Sequence, residues 1–503
     1  MAKRVTVIGA GLGGLAAAIR LASMGFEVTV FEKNAKPGGK MNEIVNHAYR
    51  FDTGPSLLTM PSIIDELFEF AGFNRSDFLE FRPVDPVCRY FFNDGSIFDT
   101  FNNPDKMIFS LAGLAPNEVE NYQKFMAYSR DLYERAGQLF LTTPIHERKK
   151  IFRSGFLSRL AEIHKIDPFR TVHQGVSGFF NDERLIQLFD RYATYNGSDP
   201  FRAPATLNMI PYLEAHPGAF YISGGMYRLV EAMLKIAAAL NIDIRTSTTV
   251  EKIIHKNRKV EAVRIDGHVL KTDYVVCNAD VVSAYSDLID GLPKKAKHYQ
   301  KLEPSLSGMV FLWGINGENP GLKHHNIIFS NDYKKEFSQL FNDHQHPDDP
   351  TIYVAITSKT DPEHAPENGE NWFVLVNMPY LTDQNEWETD IEAVRKNILR
   401  KLSEHGINVA GKIETEKVLT PESFQNLYGA NRGSIYGLSS NSRSSAFLRP
   451  ANRSREIEGL YFAGGSAHPG GGIPLVILAG KMTADLIGET MNYSKKDIFE
   501  IKV

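Results

Sequence analysis

The sequence predicts an α/β protein of more than one lobe, built on a Rossmann-like nucleotide-binding unit. Three observations predict it. The chain opens with an apolar strand, a glycine turn, a small-residue helix and a second strand ending on an acid, all within Lys3–Gly54. It closes with another apolar strand, a glycine-rich turn and an apolar helix, Gly459–Met491. Between them run alternating helix and strand patterns, and 503 residues are too many for one ordinary domain.

The first strand is Arg4-Val5-Thr6-Val7-Ile8. In Gly9-Ala10-Gly11-Leu12-Gly13-Gly14, Gly9 permits the tight turn and Gly11 lets backbone approach a pyrophosphate. Gly14 lets the helix pack on the sheet. The helix N-terminus turns unpaired N–H groups and a positive dipole end toward phosphate. Strand Glu27–Phe31 ends on Glu32, whose carboxylate suits a ribose hydroxyl pair and repels a 2′-phosphate. NADP is therefore disfavoured. Lys33 follows, then Gly38-Gly39-Lys40-Met41, a second close-approach loop with a cation beside it, and Phe51-Asp52-Thr53-Gly54-Pro55-Ser56.

Composition narrows the class. Hydrophobic residues make up 43% and charged residues 23%, as in a globular chain. The net charge of −4 gives no basic field for nucleic acid. Cys88 and Cys277 are the two cysteines; so far apart they suit a reducing cytosol, not a disulfide framework or zinc site. Cys277 lies in the apolar strand Tyr274–Cys277 and reads as a small buried hydrophobe. No leader precedes the first strand, and no apolar run reaches the roughly 18–20 residues that span a bilayer. A cytoplasmic protein, peripheral to the membrane, is expected.

Further along, Ile63–Phe70 has helical spacing, and 87–99 reads as a hairpin turning at Asp94-Gly95. Residues 147–160 mix Arg148, Lys149, Lys150 and Arg153 with Ile151, Phe152, Phe156 and Leu157, a basic amphipathic pattern suited to a membrane interface; an ordinary surface helix has the same pattern. A second hairpin, 260–265, turns at Asp266-Gly267. The runs Gly308–Ile315, Ile352–Ile356 and Trp372–Met378 read as strands of a mixed sheet. His324, His325, His344, His346 and His364 are placed in a polar loop, and their spacing fits no metal site. Phe, Tyr, Met and Leu dominate the middle of the chain, without a cluster of charge to hold a polar substrate. The helix opening near Pro474 has proline where its missing N–H costs nothing.

The paired glycine loops resemble the flavoprotein superfamily of amine oxidases, protoporphyrinogen oxidase and carotenoid desaturases (the GR2 type). Arg191–Pro204 with its Asn196-x-x-x-Pro200-Phe201 loop, a long Tyr/Met/Leu helix over 207–214, and Phe220–Met226 resemble bacterial phytoene-type carotenoid desaturases more closely. The resemblance spans essentially the whole chain. It implies FAD as cofactor, with the Asp-x-Gly-type turn near the isoalloxazine and the helix at Pro474 aimed at its N1/C2=O edge. The implied cofactor residues are Gly9, Gly11, Leu12, Gly13, Gly14, Glu32, Lys33, Gly38, Gly39, Lys40, Met41, Gly54, Pro55, Ser56, Val250, Asn278, Ala279, Gly464, Gly465, Gly472, Ile473 and Pro474. It implies a discontinuous FAD-binding domain (1–70, 225–295 and 445–503), a mixed-sheet substrate-binding domain inserted into it (71–135 and 296–444), and a helical, membrane-facing lid (136–224).

The implied activity is desaturation of a hydrophobic carotenoid, as a 3,4-desaturase of hydroxylated carotenoids or a phytoene-type desaturase. Such C–H bonds are not acidic. Hydride loss to flavin comes first, and the neighbouring proton then becomes acidic enough for a weak base or water. No triad or carboxylate pair is needed, and no catalytic residue stands out. His468 fits a proton shuttle or a residue holding its turn. A flavin amine oxidase, a carotene isomerase and a non-catalytic prenyl-binding protein share the scaffold. The C-terminal loop lacks a cysteine, so covalent flavin attachment there is excluded. Retention of both glycine loops speaks against the prenyl-binding class.

Overall fold

The computed structural model describes residues 2–147, 163–382 and 387–491. Its nucleotide-binding unit is a five-stranded parallel sheet in the order Leu460–Phe462, Tyr274–Cys277, Arg4–Ile8, Glu27–Phe31, Asp243–Arg245. The side chains alternate between two covered faces, as the period of a strand dictates. Val5, Val7, Val30, Val276 and Tyr461 face a helical layer. Ile8, Phe31, Val275, Cys277 and Phe462 face a second core under a three-stranded antiparallel sheet, Val250–Lys256, Lys259–Ile265 and His268–Lys271. The last two strands are joined by Asp266-Gly267, both with positive φ, as a tight hairpin requires.

The helical layer brings the two ends of the chain together. Helix Leu12–Ser23 packs on helix Ile473–Gly488. A Cβ on Gly480 would lie 2.6 Å from the Gly13 carbonyl oxygen and 2.9 Å from Ala16 Cβ, so small residues set the close approach. Arg20, on the first helix, is 1% exposed and pairs with Glu66 of helix Ser62–Phe70. Lys481, on the last helix, reaches the same carboxylate at 2.8 Å. One buried acid thus ties three helices.

A seven-stranded mixed sheet forms the other large layer. Its order is Ile413–Leu419, Ser307–Asn316, Gly369–Met378, Ile352–Ile356, His325–Ile328, Cys88–Phe91, Ile97–Thr100. All pairings are antiparallel except that of 325–328 with 88–91. The hairpin around Asp94-Gly95 and the three strands expected at 308–378 are all in it.

Two local expectations are corrected. The run 207–214 is not one long helix: 3-10 turn Ala205–Met209 gives way to helix Ile210–Ala215, which restarts where Pro211, with no N–H to donate, fits a first turn. His324 and His325 are not in a polar loop. His325 begins a sheet strand and both are buried. His364 lies near Asp361 and Glu363. However, Asp361 already accepts from Gly224 N and Arg82, and His364 bonds Thr357. Residues 148–160 of the basic stretch lie outside the described residues. Among the described residues no helix is long and apolar enough to cross a membrane.

Candidate functional site

Four distant glycine segments meet at one place. Gly38 N donates to Ala10 O at 2.8 Å, and Gly11 pairs with Gly38 as a parallel bridge, so the first two loops lie side by side. A Cβ on Gly13 would sit 2.8 Å from Gly464 N and 2.8 Å from Asn278 Oδ1. One on Gly54 would sit 2.0 Å from Lys40 O. The glycines are there because three backbones cross where a fourth chain turn packs beneath them.

These loops border a cavity of ≈ 800 Å³. Gly9, Gly11, Leu12, Gly13, Glu32, Lys33, Gly38, Gly39, Lys40, Met41, Gly54, Pro55, Ser56, Val250, Asn278, Ala279, Gly464, Gly465, Gly472, Ile473 and Pro474 all line it. Gly14 does not. A Cβ there would lie 2.2 Å from Gly9 O, so this glycine sets helix-to-strand packing and faces away from the cavity.

Glu32 is buried, and its two carboxylate oxygens accept from Ala10 N and Asn34 N, each at 2.9 Å. It braces the first glycine turn while lining the cavity. Lys33 and Asn34 donate to the carbonyls of Asn426 (2.7 Å) and Leu427 (2.8 Å), which fixes the C-terminal turn of helix Pro421–Tyr428 over this end. Lys40 Nζ donates to the carbonyls of Ser434 and Ile435. Burial pushes its ammonium down to about 8, partly opposed by the Asp280 carboxylate. Burial in turn raises Asp280, whose side chain caps Val282 N at 2.8 Å. Asp52 points away, holding Arg50 and the Met226 and Tyr227 N–H groups.

His468 is held in place. Its Nε2 bonds Thr143 O at 2.9 Å and its backbone oxygen accepts from Asn452 at 2.7 Å. Burial depresses the imidazole to about 3, so it stays neutral and anchors the turn. Arg449, also buried, donates to Tyr436 O and Gly465 O, and burial lowers its guanidinium to about 10. Cys277 is fully buried, with its thiol pushed up to about 12.

Beyond the glycine loops the cavity wall becomes apolar: Phe140, Met209, Leu213, Phe373, Leu375 and Phe447. Here the expectation of a site without a charge cluster is corrected. Arg191 and Glu214 both line this part, as do Tyr195, His325 and Tyr353. Sequence reasoning assigned none of them. They come from runs of Tyr, Phe and Leu that look like core, and no short spacing connects them.

The cradle fits a dinucleotide. It has two helix N-termini, Leu12 and Ile473, glycines at close backbone crossings, a buried acid, Glu32, and a lysine, Lys40, on its wall. A model of the flavin-containing amine oxidoreductases matches residues 12–488. The chain belongs to that family.

This flavoprotein is 40% identical over 489 residues to 1-hydroxycarotenoid 3,4-desaturase of Flavobacterium sp. (strain P99-3), covering 97% of this chain and 99% of that one. It is 38% identical over 488 residues to 4,4'-diapolycopene oxygenase of Methylomonas sp, covering 96% and 98%. An oxidoreductase from Methanosarcina mazei shares the fold, with a TM-score of 0.64 at 17% identity over 96% of this chain and 100% of that one. The oxidoreductase takes FAD, the cofactor of the flavin-containing family it belongs to, and Glu32, the glycine crossing and Ile473 all line the one cavity.

Proposed function

We propose that the protein is an FAD-dependent carotenoid desaturase, acting on a hydroxylated carotenoid at the 3,4-bond or on a phytoene-like chain. One observation carries the reading: a single cavity joins the dinucleotide cradle to a chamber walled by Phe140, Met209, Leu213, Phe373, Leu375 and Phe447. Long apolar chains gain about 25 cal/mol per Å² of surface withdrawn from water, and such a chamber supplies that burial. FAD, when bound, accepts the hydride. The chain's own residues align the polyene, exclude water and leave the second proton to a weak acceptor.

An amine substrate is disfavoured by the same chamber. Its carboxylate, Glu214, is occupied by the hydroxyls of Tyr192 (2.7 Å) and Tyr195. Beside it stands a cation, Arg191, which repels an ammonium. The near full-length likeness to 4,4'-diapolycopene oxygenase favours a second reading, oxygenation of a carotenoid terminus. Product analysis by chromatography and mass, on phytoene and on hydroxylated γ-carotene, separates them. Loss of two hydrogens supports desaturation, and gain of oxygen supports the second reading. An unchanged mass with altered geometry points to an isomerase. Conversion of neither substrate overturns the class.

The residues lining the cradle are proposed as the cofactor contacts, with Gly14 as a packing residue. We propose a discontinuous FAD-binding domain and a mixed-sheet domain inserted into it, a division supported by the strands each sheet draws on, with a lid at 136–224. Peripheral membrane contact from the cytoplasmic side is proposed for the 147–160 region. In support, Phe140 and Leu141 of the cavity wall precede it in sequence, and the exposed Phe169 and Leu448 add apolar surface. Liposome co-sedimentation tests this. Charge reversal at Arg148, Lys149, Lys150 and Arg153 should release the protein, and unchanged binding would refute the surface.

A further inference from the structure

Arg191 is an unusual wall for an apolar chamber. Among the described residues its guanidinium has no carboxylate within salt-bridge reach and donates one hydrogen bond, to Tyr90 Oη at 2.9 Å. Its Nε is buried with no acceptor. Three rings surround it: Tyr192 at 4.6 Å, Tyr195 at 5.4 Å and Tyr90 at 5.5 Å from its Cζ. Cation–π contacts of this kind hold a guanidinium in place but leave its N–H groups unsatisfied. Glu214 balances the charge nearby, tied through Tyr192 and Tyr195. The cluster is therefore formally neutral while rich in unused donors.

The cluster also sits close to the flavin cradle. Ser56, from the third glycine segment, bonds Tyr353 Oη, which bonds His325 Nδ1 at 2.8 Å. The charge of Arg191 acts on both Tyr353 and His325. Tyr436, on which that charge also acts, lies against Gly471 of the C-terminal loop. Arg191, His325, Tyr353 and Ser56 line one cavity, so a group bound by Arg191 lies in the chamber that adjoins the cradle.

We propose that Arg191, held by Tyr90, Tyr192, Tyr195 and Glu214, is a subsite for a neutral oxygen, hydroxyl or carbonyl, of a polyene in that chamber. Such an oxygen accepts from the free guanidinium N–H groups and needs no counter-charge. A carboxylate would meet Glu214 and is disfavoured. The subsite makes Arg191 the residue that selects oxygenated over hydrocarbon carotenoids. It rests on the carotenoid reading above.

The test measures binding to the FAD-loaded, chemically reduced holoenzyme, which cannot turn over, with a hydroxylated carotenoid and its hydrocarbon analogue of equal length. Wild type should prefer the hydroxylated one by roughly 10- to 100-fold, the size of a hydrogen bond to a charged group. Arg191→Gln should bring that ratio close to one while FAD fluorescence quenching stays at the wild-type level. In separate turnover assays on the oxidised holoenzyme, Arg191→Gln should raise KM for the hydroxylated substrate with little change for the hydrocarbon. If Arg191→Gln does not retain FAD, Arg191→Lys is read instead. It keeps the cation without the planar fork and should lose part of the preference. The proposal is overturned if wild type shows no preference, or if the preference survives in the variant that is read. If wild type binds neither carotenoid, the proposed function itself fails.

Discussion

Gly54→Ala tests the crossing on which the cofactor site depends. The added Cβ would lie 2.0 Å from Lys40 O, 2.8 Å from Lys40 C and 3.3 Å from Met41 Cα. All three are backbone atoms, so no side chain can rotate away, and the first is deep inside van der Waals contact. The Lys40 loop cannot yield freely. Gly38 N is bonded to Ala10 O at 2.8 Å, and Lys40 Nζ to two carbonyls of the 434–435 segment. Overpacking of this kind costs about 1–3 kcal/mol. Expressed as cofactor affinity, that is roughly 5- to 150-fold. The assay is FAD titration of apoprotein by flavin fluorescence quenching, beside its thermal unfolding. Gly113→Ala, in helix Pro104–Leu114, is the control: nothing lies within 4 Å of its Cβ position, and alanine there should be neutral or stabilising. If Gly54→Ala binds FAD and unfolds like wild type, the crossing is looser than described and the reasoning is wrong.

Three further outcomes are expected. Glu66→Gln leaves Arg20 and Lys481 without their shared carboxylate and should destabilise the protein by about 3–5 kcal/mol, whereas exposed Glu69→Gln should change its thermal midpoint little. Lys40 is pushed from 10.5 to about 8. Between those values the unfolded chain binds the extra proton, so this group's contribution to apoprotein stability rises with pH across that window. FAD affinity goes the other way. With Lys40 as a proposed pyrophosphate contact, the ammonium form is the one that binds, so affinity should be flat below pH 8 and fall above it, and Lys40→Arg, charged throughout, should flatten the profile. In a Cys88→Ser background, Cys277, at 0% exposure with its thiol near 12, should resist thiol reagents at pH 8 until the protein is denatured.

What could be read in the sequence was local. Gly9–Gly14, Gly38–Lys40 and Gly464–Pro474 announce themselves because close backbone approach demands glycine at fixed short spacings. Strand alternation likewise placed Tyr274–Cys277 and the hairpins. The motif assigns Gly14 to helix-to-sheet packing, and the 2.2 Å from its Cβ position to Gly9 O agrees; the cofactor list implied by resemblance also includes it, although it does not line the cavity. The 207–214 helix was overextended because apolar periodicity outweighed Pro211. His324 and His325 are expected in a loop because clustering in sequence says nothing of burial. The Arg191 cluster was invisible for another reason. Tyr90, Arg191 and Glu214 lie on three separate elements, and only the tertiary fold shows that Arg191 and Glu214 share one cavity wall with Tyr90 bonded to Arg191. In a run such as Arg191–Tyr195, a core residue and a ligand-facing residue look alike.

The central claim is that the dinucleotide cradle and the apolar chamber serve one oxidation of a carotenoid. Anaerobic single-turnover mixing of the FAD-loaded protein with hydroxylated γ-carotene in liposomes tests it most directly. The oxidised-flavin absorption band should bleach, matched mole for mole by product with one more double bond. A flavin band that stays oxidised with carotenoids but bleaches with amines would contradict it.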